Sequence, residues 1–319
     1  MYSVAKIMTA LVVLTDHPLK KDETGPAIPV DDAAVADYAA RQAAQESVVK
    51  VAKGEQLSEY DALQALLIPS GNNIAALLAR WDAGSLTAFV AKMNARAATL
   101  GLKLTHFDDP AGVQDTTAGS PAELVALAEV AMQDEVFAGT VIKTAATVPV
   151  AGLVFNVNYI IGQEGIIGVK TGSSPDGSSN FVFAATHSVA GKPVMIFGAV
   201  MIKGTLAQAF DTSKALVRAV KAGLTTVHVL TARQTVGKYT APWGSSTDVI
   251  VQKDLDMLAW PGQIARVRVE TIAVRAPLDA GKQVGTVLVQ LDAQEERLTL
   301  ASADPLSRAT TRWRLTRGP

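Results

Sequence analysis

Apolar and polar positions follow two different periods along the chain. Up to about residue 225, apolar residues recur every three or four positions, as on a buried helix face, with a few strand-like runs between. Beyond that point, short alternating runs are separated by Gly and Pro, which is typical of a small β-sandwich or barrel. We therefore predict an α/β (α+β) domain with an antiparallel sheet and a helical cluster over residues 1–225, and a small all-β domain over residues 226–319.

Periodicity, caps and chain breakers place the elements of the first part. Helices are predicted over residues 3–14, 58–67, 72–81, 86–100, 120–132 and 205–222. Strands are predicted over residues 153–161, 165–170, 180–186 and 193–201, with a hairpin at Gly191-Lys192. Residues 20–32 are polar and contain Gly and Pro, so we predict a loop there.

Composition excludes several classes of function. Apolar residues make up 49% of the 319 positions, enough to bury a sizeable core. The 29 basic and 30 acidic side chains give a net charge of −1. The chain therefore lacks the excess of positive charge that is typical of proteins binding nucleic acid or anionic lipid. The absence of cysteine excludes disulfides, zinc–thiolate sites, iron–sulfur clusters and a cysteine nucleophile. The four histidines show no metal-binding spacing, so neither a metal nor a cofactor is expected.

The chain is apolar enough to raise the question of targeting and membrane segments. The two longest apolar stretches, residues 63–81 and 181–202, are interrupted by polar residues and proline. Neither reaches the roughly 18 uninterrupted apolar residues of a membrane helix. The first residues lack a signal-peptide pattern, since no small-residue cleavage site follows the apolar run. We therefore expect neither an export signal nor a membrane span in this chain.

Three short motifs carry candidate chemistry. Ser3-Val4-Ala5-Lys6 is an S-x-x-K, Ser70-Gly71-Asn72 is an S-x-N, and Lys170-Thr171-Gly172 is a K-T-G. Each is weak by itself, because Ser47-Val48-Val49-Lys50 is a second S-x-x-K and Ser178-Ser179-Asn180 a second S-x-N. Taken singly, each match favours a structural role: the first serine as a helix cap and the lysine of the third motif as a solvated strand end.

Order and context strengthen the trio. Ser3 opens an apolar helix, where residues three apart share a face, so Lys6 is expected beside it. The competing Ser47 motif leads instead into a turn at Gly54-Glu55. The same three motifs, with Asp in the middle one, occur in this order in β-lactamases and penicillin-binding proteins.

The residues around the motifs extend the likeness over nearly the whole chain. The sequence resembles the serine D-alanyl-D-alanine carboxypeptidases, the low-molecular-mass penicillin-binding proteins. The resemblance implies a β-lactamase/transpeptidase-like catalytic domain. The stretches that carry it are residues 3–11, 54–73, 100–112, 156–162, 165–172 and 276–285.

The resemblance implies an acyl-enzyme mechanism. Ser3 would attack the carbonyl between two terminal D-alanines, and Lys6 would be its base because no histidine stands in these motifs. A lysine can act as a base only if its pKa is lowered, which burial and the nearby Lys170 would both do. Ser70 would relay a proton to the leaving amine, and Asn72 would hold the substrate amide.

The third motif is implied in substrate binding. Lys170, Thr171, Gly172 and Ser173 would bind the terminal carboxylate of the peptide. The backbone N–H groups of Ser3 and Ser173 would form the oxyanion hole, as the family arrangement implies.

The implied function is trimming of peptidoglycan stem peptides outside the cytoplasm, in peptidoglycan biosynthesis and control of cell shape. The implied partners are a stem peptide ending in D-Ala-D-Ala and β-lactam antibiotics that acylate the nucleophile. Two alternatives stay open: a β-lactamase or transpeptidase on the same fold, and a non-catalytic penicillin- or peptidoglycan-binding protein. Residues 107–117 contain no glutamate of the kind that activates water in class A β-lactamases, which favours the carboxypeptidase.

Three further expectations come from comparison with the family pattern. Ser3 stands almost at the start of the sequence, so we expect a missing lead-in segment and an unpaired edge in the central sheet. The last residues lack the pattern of the amphipathic membrane-binding helix that ends many relatives. Asn156 and Asn158 are either functional or ordinary turn residues.

Overall fold

The computed structural model describes residues 1–316 and divides into two compact units. One comprises Met1–His187 and Pro193–Lys221; the other comprises Ser188–Lys192 and the chain from Ala222 onwards. The helices are α1 (Lys6–Asp16), α2 (Asp32–Ala43), α3 (Glu59–Leu67), α4 (Asn72–Ala83), α5 (Leu86–Thr99), α6 (Pro121–Ala131), α7 (Glu135–Val141), α8 (Leu206–Gly223) and α9 (Thr311–Leu315). The strands are β1 (Ala27–Pro29), β2 (Gln56–Ser58), β3 (Ala145–Val148), β4 (Gly152–Phe155), β5 (Ile166–Ser173), β6 (Ser178–Val189), β7 (Lys192–Lys203), β8 (Thr225–Leu230), β9 (Thr235–Thr240), β10 (Ser246–Val251), β11 (Leu255–Ala259), β12 (Arg266–Thr271), β13 (Gln283–Leu291) and β14 (Gln294–Ser302).

Side-chain caps fix the starts of the helices in the first unit. The Ser58 hydroxyl accepts a hydrogen bond from the Asp61 backbone N–H at 3.0 Å and so begins α3. Ser120 caps α6 in the same way, with Pro121 at the first helical position. Both starts confirm the sequence prediction.

Helix α1 lies at the centre of the first unit, with every residue from Lys6 to Leu14 buried. Helices α3, α4, α5 and α6 all pack against it. The predicted helix begins differently, however, because Tyr2–Ala5 form a 3-10 turn that leads directly into α1. The chemistry-bearing start of this segment is therefore held in the protein interior by the apolar helix that follows.

The sheet of the first unit has three strands in the order β5-β6-β7. β5 pairs antiparallel with β6, with Lys170 opposite Val182. β6 and β7 form the predicted hairpin, whose turn at Ala190 and Gly191 has positive φ at both positions. Within residues 1–316, β7 is the edge strand on one side, whereas β5 lies against the 3-10 turn.

The second unit is built almost entirely of antiparallel strands. Five of them form one sheet in the order β12-β13-β14-β10-β9, and β8 and β11 form a second. Alternate residues of both sheets, such as Val287, Leu300, Met257 and Leu230, share one apolar core. The alternation in the sequence thus predicted the strands of this sheet-rich region, but not the short helix α9.

Several predicted elements are wrong in detail. The strand predicted over residues 153–161 ends at Phe155, because Asn156 and Asn158 fold the following residues into turns through side-chain bonds to backbone N–H groups. The predicted loop over residues 20–32 contains β1. Helix α2 was missed because only Ala34 is buried in it, so it shows no apolar periodicity. Helix α7 is too short for a periodic pattern.

Among residues 1–316, no single helix is long and apolar enough to cross a membrane. Helices α4 and α5 reach that length and composition only as a pair, and they are bent by 87° at their junction.

One buried carboxylate in the first unit has an unusual environment. Glu59 is fully buried at the start of α3, and neither of its carboxylate oxygens has a hydrogen-bond partner among the described residues. Burial raises the pKa of Glu59 to about 7, and the nearby Asp82 carboxylate contributes in the same direction. Glu59 is therefore protonated in the folded protein under mildly acidic conditions where an exposed glutamate would be ionised.

We expect Glu59 to make the free energy of unfolding fall as the pH rises from about 4.5 to 7, because the folded state holds a proton that the unfolded state has lost. The shift of the pKa from 4.5 to about 7 corresponds to about 3 kcal/mol. Urea denaturation of the wild type and Glu59→Gln between pH 5 and 8 measures it. The free energy of unfolding of the wild type, relative to that of Glu59→Gln, should fall as the pH rises. Glu129→Gln, an exposed control, should show the same pH dependence as the wild type. Parallel curves for wild type and Glu59→Gln would contradict it.

Candidate functional site

The three motifs meet at one cleft of about 560 Å³ in the first unit. The first motif comes from the 3-10 turn before α1, the second from the loop between α3 and α4, and the third from β5. The lining residues are Tyr2, Ser3, Ala44, Gln45, Glu46, Ser47, Ser70, Asn72, Gly112, Val113, Asp115, Val157, Thr171, Gly172, Ser173, Ser174 and Pro175. Segments that are 67 and 100 residues apart in sequence thus contribute to a single site.

The Ser3–Lys6 pair has the geometry of a nucleophile and its base. The Lys6 Nζ lies 2.8 Å from the Ser3 Oγ. Lys6 is fully buried, whereas Ser3 is partly exposed and faces the cleft. A hydrogen bond of this length permits direct proton transfer between the two groups.

Two more acceptors surround the Lys6 amine. Its Nζ donates to the Asn72 Oδ1 at 2.6 Å and to the Ala111 carbonyl at 3.0 Å. Together with Ser3 these acceptors use all three hydrogens of the charged amine. When Lys6 loses one proton, the two fixed acceptors can retain their hydrogens, which leaves the lone pair for the Ser3 hydroxyl.

Ser70 lines the same cleft as Ser3 and has a strained backbone conformation. Its φ is 67°, in the left-handed region that residues other than glycine rarely adopt. The side chain is buried, and its hydroxyl has no hydrogen-bond partner among the described residues. A buried hydroxyl without a partner is costly, so this one is free to bond a group that enters the cleft.

Strand β5 brings the third motif against the backbone of Ser3. Lys170 and Thr171 are buried, whereas Ser173 is exposed at the end of the strand. A side chain at Gly172 would place its Cβ 3.2 Å from the Ser3 backbone nitrogen, so glycine permits the close approach. Among residues 1–316, the Lys170 Nζ donates only to Thr171, to its carbonyl at 3.2 Å and its hydroxyl at 3.5 Å.

The two buried lysines dominate the electrostatics. Among the described residues, no carboxylate lies within ion-pair distance of Lys6 or Lys170. Burial lowers the pKa of Lys6 well below its usual value, and the Lys170 charge lowers it further. Burial also lowers the pKa of Lys170 to about 7. Both shifts disfavour the charged amines, so Lys6 readily becomes neutral, and an anion beside Lys170 would stabilise its charged form.

Asp109, which the sequence analysis did not single out, shapes the loop behind the site. Its Oδ1 accepts from the backbone N–H groups of Ala111 and Gly112 at 2.8 and 2.7 Å. These bonds place the Ala111 carbonyl against Lys6. A side chain at Gly112 would clash with the Tyr2 carbonyl oxygen, since its Cβ would lie 1.9 Å from it, so glycine is needed there. The signal in the sequence was an aspartate followed by small residues, which is typical of a side-chain-capped turn.

Glu46 was also missed. It lines the cleft and accepts a hydrogen bond from the Asn72 Nδ2 at 2.8 Å. An acidic residue was expected only between the second and third motifs, whereas Glu46 comes from the segment between α2 and β2. Nothing in the local pattern marks it, because the contact depends on the fold.

The duplicate motifs have different surroundings from the three that meet at the cleft. Lys50 of the second S-x-x-K is exposed, and Asn180 of the second S-x-N lies on β6 and donates to the Met1 carbonyl. Asn156 and Asn158 act as turn residues and place Val157 in the cleft, where its N–H donates to the Ile68 carbonyl at 3.1 Å. Over the part of the chain that is described, no group of three or more metal-ligating side chains occurs.

The sequence is similar to one family and to named relatives within it. A family model described as D-alanyl-D-alanine carboxypeptidase, peptidase family S11, matches residues 1–200. A "D-alanyl-D-alanine carboxypeptidase" from Streptomyces sp. strain K15 is 36% identical over 211 residues, which cover 60% of this chain and 69% of that protein.

Solved structures show the same fold. Penicillin-binding protein 5 from Haemophilus influenzae aligns with a TM-score of 0.68 and 22% identity, covering 96% of this chain and 90% of that one. The Streptomyces K15 DD-transpeptidase aligns with a TM-score of 0.58 and 30% identity, covering 67% of this chain and 85% of that one. These alignments confirm the predicted fold class: a transpeptidase-like domain of helices and sheet, followed by a sheet-rich region.

Proposed function

Because the chain belongs to the D-alanyl-D-alanine carboxypeptidase family of serine peptidases, we propose that its cleft removes the terminal D-alanine from peptides that end in D-Ala-D-Ala. The observation that carries the proposal is the chain of hydrogen bonds from Ser3 through Lys6 to Asn72, buried at the base of a cleft. Ser3, Lys6 and Ser70 are the proposed catalytic residues. Asn72, Lys170, Thr171, Gly172 and Ser173 are the proposed binding residues.

Acylation uses the Ser3–Lys6 contact. The Ser3 Oγ attacks the carbonyl carbon of the penultimate D-alanine while its proton moves to the neutral Lys6 amine. The tetrahedral oxyanion would accept hydrogen bonds from the backbone N–H groups of Ser3 and Ser173. The C–N bond then breaks, and the leaving D-alanine amine takes a proton through Ser70, whose hydroxyl has no other partner among the described residues. The products are an ester on Ser3 and free D-alanine.

Recognition of the chain end relies on the third motif. The peptide ends in a carboxylate, and Lys170 is a buried cation with no carboxylate partner among the described residues. Binding of that carboxylate would raise the pKa of Lys170 back toward its usual value, because an opposite charge stabilises the ammonium form. Thr171 and Ser173 stand on the same strand and would add hydrogen bonds.

Hydrolysis of the ester reverses the proton transfers. Water attacks the ester carbonyl, its proton passes to the protein, and the Ser3 oxygen regains a proton as it leaves. A β-lactam would acylate Ser3 by the same attack on its ring carbonyl, with the ring nitrogen as the leaving group that stays attached. The inhibitor and the peptide therefore report on the same residues.

The function is tested by measuring D-alanine release from N-acetylated L-Lys-D-Ala-D-Ala and, in parallel, the mass of the protein after incubation with benzylpenicillin. We expect one D-alanine per peptide, no release from the L-Ala-L-Ala analogue, and one covalent adduct per chain. Ser178→Ala, in the duplicate S-x-N, is the control and should behave as the wild type. An adduct without D-alanine release would support a non-catalytic penicillin-binding protein, and rapid release of hydrolysed penicillin would support a β-lactamase.

A transpeptidase is the second candidate, because the similar Streptomyces K15 structure is that of a DD-transpeptidase. Acyl transfer to an amine and transfer to water share the acyl-enzyme and differ only in the acceptor. Adding glycylglycine to the peptide assay distinguishes the two. A new peptide bond in place of free acid would assign the transpeptidase reaction.

The setting of the reaction follows from its substrate. Stem peptides ending in D-Ala-D-Ala belong to peptidoglycan, so the proposed place of action is outside the cytoplasm, at the cell wall. We also propose that residues 1–225 are the catalytic domain and residues 226–319 an accessory β-domain. Expression of residues 1–225 alone, assayed with the same peptide, tests that division.

A further inference from the structure

A carboxylate contacts the side-chain amide of Asn72 on its nitrogen side. The Glu46 Oε2 accepts from the Asn72 Nδ2 at 2.8 Å and from the Arg41 Nη1 at 2.7 Å. Arg41 is held in turn by Asp37, to which its Nε donates at 3.0 Å. The Asn72 amide is therefore fixed at both ends, since its oxygen accepts from Lys6 at 2.6 Å.

The backbone around Glu46 is tied to the start of α4. The Asn72 N–H donates to the Ser47 carbonyl at 2.8 Å. The Asn73 side chain accepts from the Val49 N–H at 2.9 Å and donates to the Val49 carbonyl at 2.8 Å. The amide of Asn73 thus pairs with one residue in both directions, as a neighbouring strand would. Glu46 meets Asn72 because the segment that carries it cannot move independently of α4.

The orientation of the Asn72 amide matters for the base. Its oxygen and nitrogen are similar in size, and rotation by about 180° would present a donor instead of an acceptor to Lys6. A neutral Lys6 has one lone pair, which must accept the Ser3 proton. An amide N–H aimed at that lone pair would compete with the nucleophile. An acceptor on the nitrogen side of the amide prevents this rotation.

We propose that Glu46 is a positioning residue for acylation: held by Arg41, it fixes the Asn72 amide with the oxygen on Lys6 and one N–H on its own carboxylate. The second N–H of Asn72 remains for a substrate carbonyl. This role rests on the proposed function, because it acts through the Ser3–Lys6 pair. Glu46 would thus take part in acylation although it lies outside the three motifs.

Charge adds a second effect that can be measured. The charged groups that act on Lys6 are Lys170, Asp109, Arg41 and Glu46. Glu46 raises the pKa of Lys6, whereas Arg41 and Lys170 lower it. Removing the Glu46 charge should therefore move the acidic limb of the acylation rate to lower pH. Simple loss of packing would not produce this shift.

The experiment measures the acylation rate by benzylpenicillin, from intact mass against time, across pH 5 to 9. Glu46→Ala should slow acylation by roughly 10-fold or more, because it removes a charged acceptor from a buried amide. Glu46→Gln should stay within about threefold at the optimum, since its carbonyl can still accept from Asn72, and its acidic limb should shift to lower pH. Asp32→Asn, which removes an exposed carboxylate that pairs with Lys53 and not with Arg41, is the control and should change neither quantity.

Two results would overturn the proposal. An acylation rate in Glu46→Ala equal to that of the wild type would show that the amide needs no support. Slowing confined to hydrolysis of the acyl-enzyme would make Glu46 a base for the attacking water instead.

A measurement on the unacylated protein tests the hydrogen bond between Glu46 and Asn72 independently of the proposed function. The Asn72 side-chain amide protons, identified in nitrogen-15 spectra by their loss in Asn72→Ala, should exchange slowly with solvent in the wild type and rapidly in Glu46→Ala. Equal exchange in both proteins would also overturn the proposal. Failure of the wild type to react with penicillin would instead count against the function.

Discussion

Replacing Ser3 with alanine is expected to abolish the covalent adduct with benzylpenicillin while leaving the protein folded. The Ser3 hydroxyl is the one that contacts the buried Lys6 amine at the base of the cleft. Without that oxygen no ester can form, so the loss should be complete and not partial. Intact-protein mass after a long incubation measures it, and a thermal melt checks folding.

The chain offers a matched control for this prediction. Ser47 begins the second S-x-x-K and lines the same cleft, but its Lys50 is exposed to solvent. Ser47→Ala should therefore form the adduct at the wild-type rate. An adduct that persists in Ser3→Ala, or disappears in Ser47→Ala, would move the nucleophile to another residue.

Replacing Lys6 with methionine is expected to slow acylation by roughly 10³-fold, the usual contribution of a general base. Methionine keeps most of the buried volume but cannot accept the Ser3 proton. In the wild type the rate should rise with pH as Lys6 loses its proton, then level off, because the lowered pKa makes the amine neutral before pH 10.5. Without any shift, only about one lysine in 3,000 would be neutral at pH 7.

Stopped-flow or mass-resolved acylation rates between pH 5 and 10 measure this profile. Lys143→Ala removes another partly buried lysine, which bonds Tyr60 and Gln64 and does not line the cleft. It should keep both the rate and the profile of the wild type. A wild-type rate that still climbs above pH 10 would show that the base has an ordinary lysine pKa, and a Lys6→Met rate equal to that of the wild type would show that Lys6 is not the base.

The sequence was most informative where the chemistry is local. Ser3 and Lys6 are three residues apart at the start of a helix, so their contact follows from helical spacing alone. The β5 motif could be assigned to a strand end from its apolar run. The alternating runs beyond residue 225 predicted strands for a similar reason, since a period of two needs no knowledge of partners.

Contacts that depend on the assembled fold were beyond such reasoning. Glu46 stands 26 residues before Asn72 in the sequence and bonds it only because Asn73 pairs with Val49. Helix α2, which precedes Glu46, is exposed and lacks an apolar stripe, so its pattern could not be recognised. The left-handed backbone of Ser70 was equally hidden, because a serine gives no sign of positive φ.

The backbone of Ser70 has a consequence for how this protein can be improved. A serine at φ 67° costs on the order of 1–2 kcal/mol that a glycine at the same position would avoid. The two buried lysines, which act on each other without a counter-ion among the described residues, also lower the stability of the folded protein. Laboratory selection for heat resistance alone would therefore enrich variants that have discarded these side chains. Only a screen that also requires acylation by penicillin would keep them, because stability and activity favour different side chains at these positions.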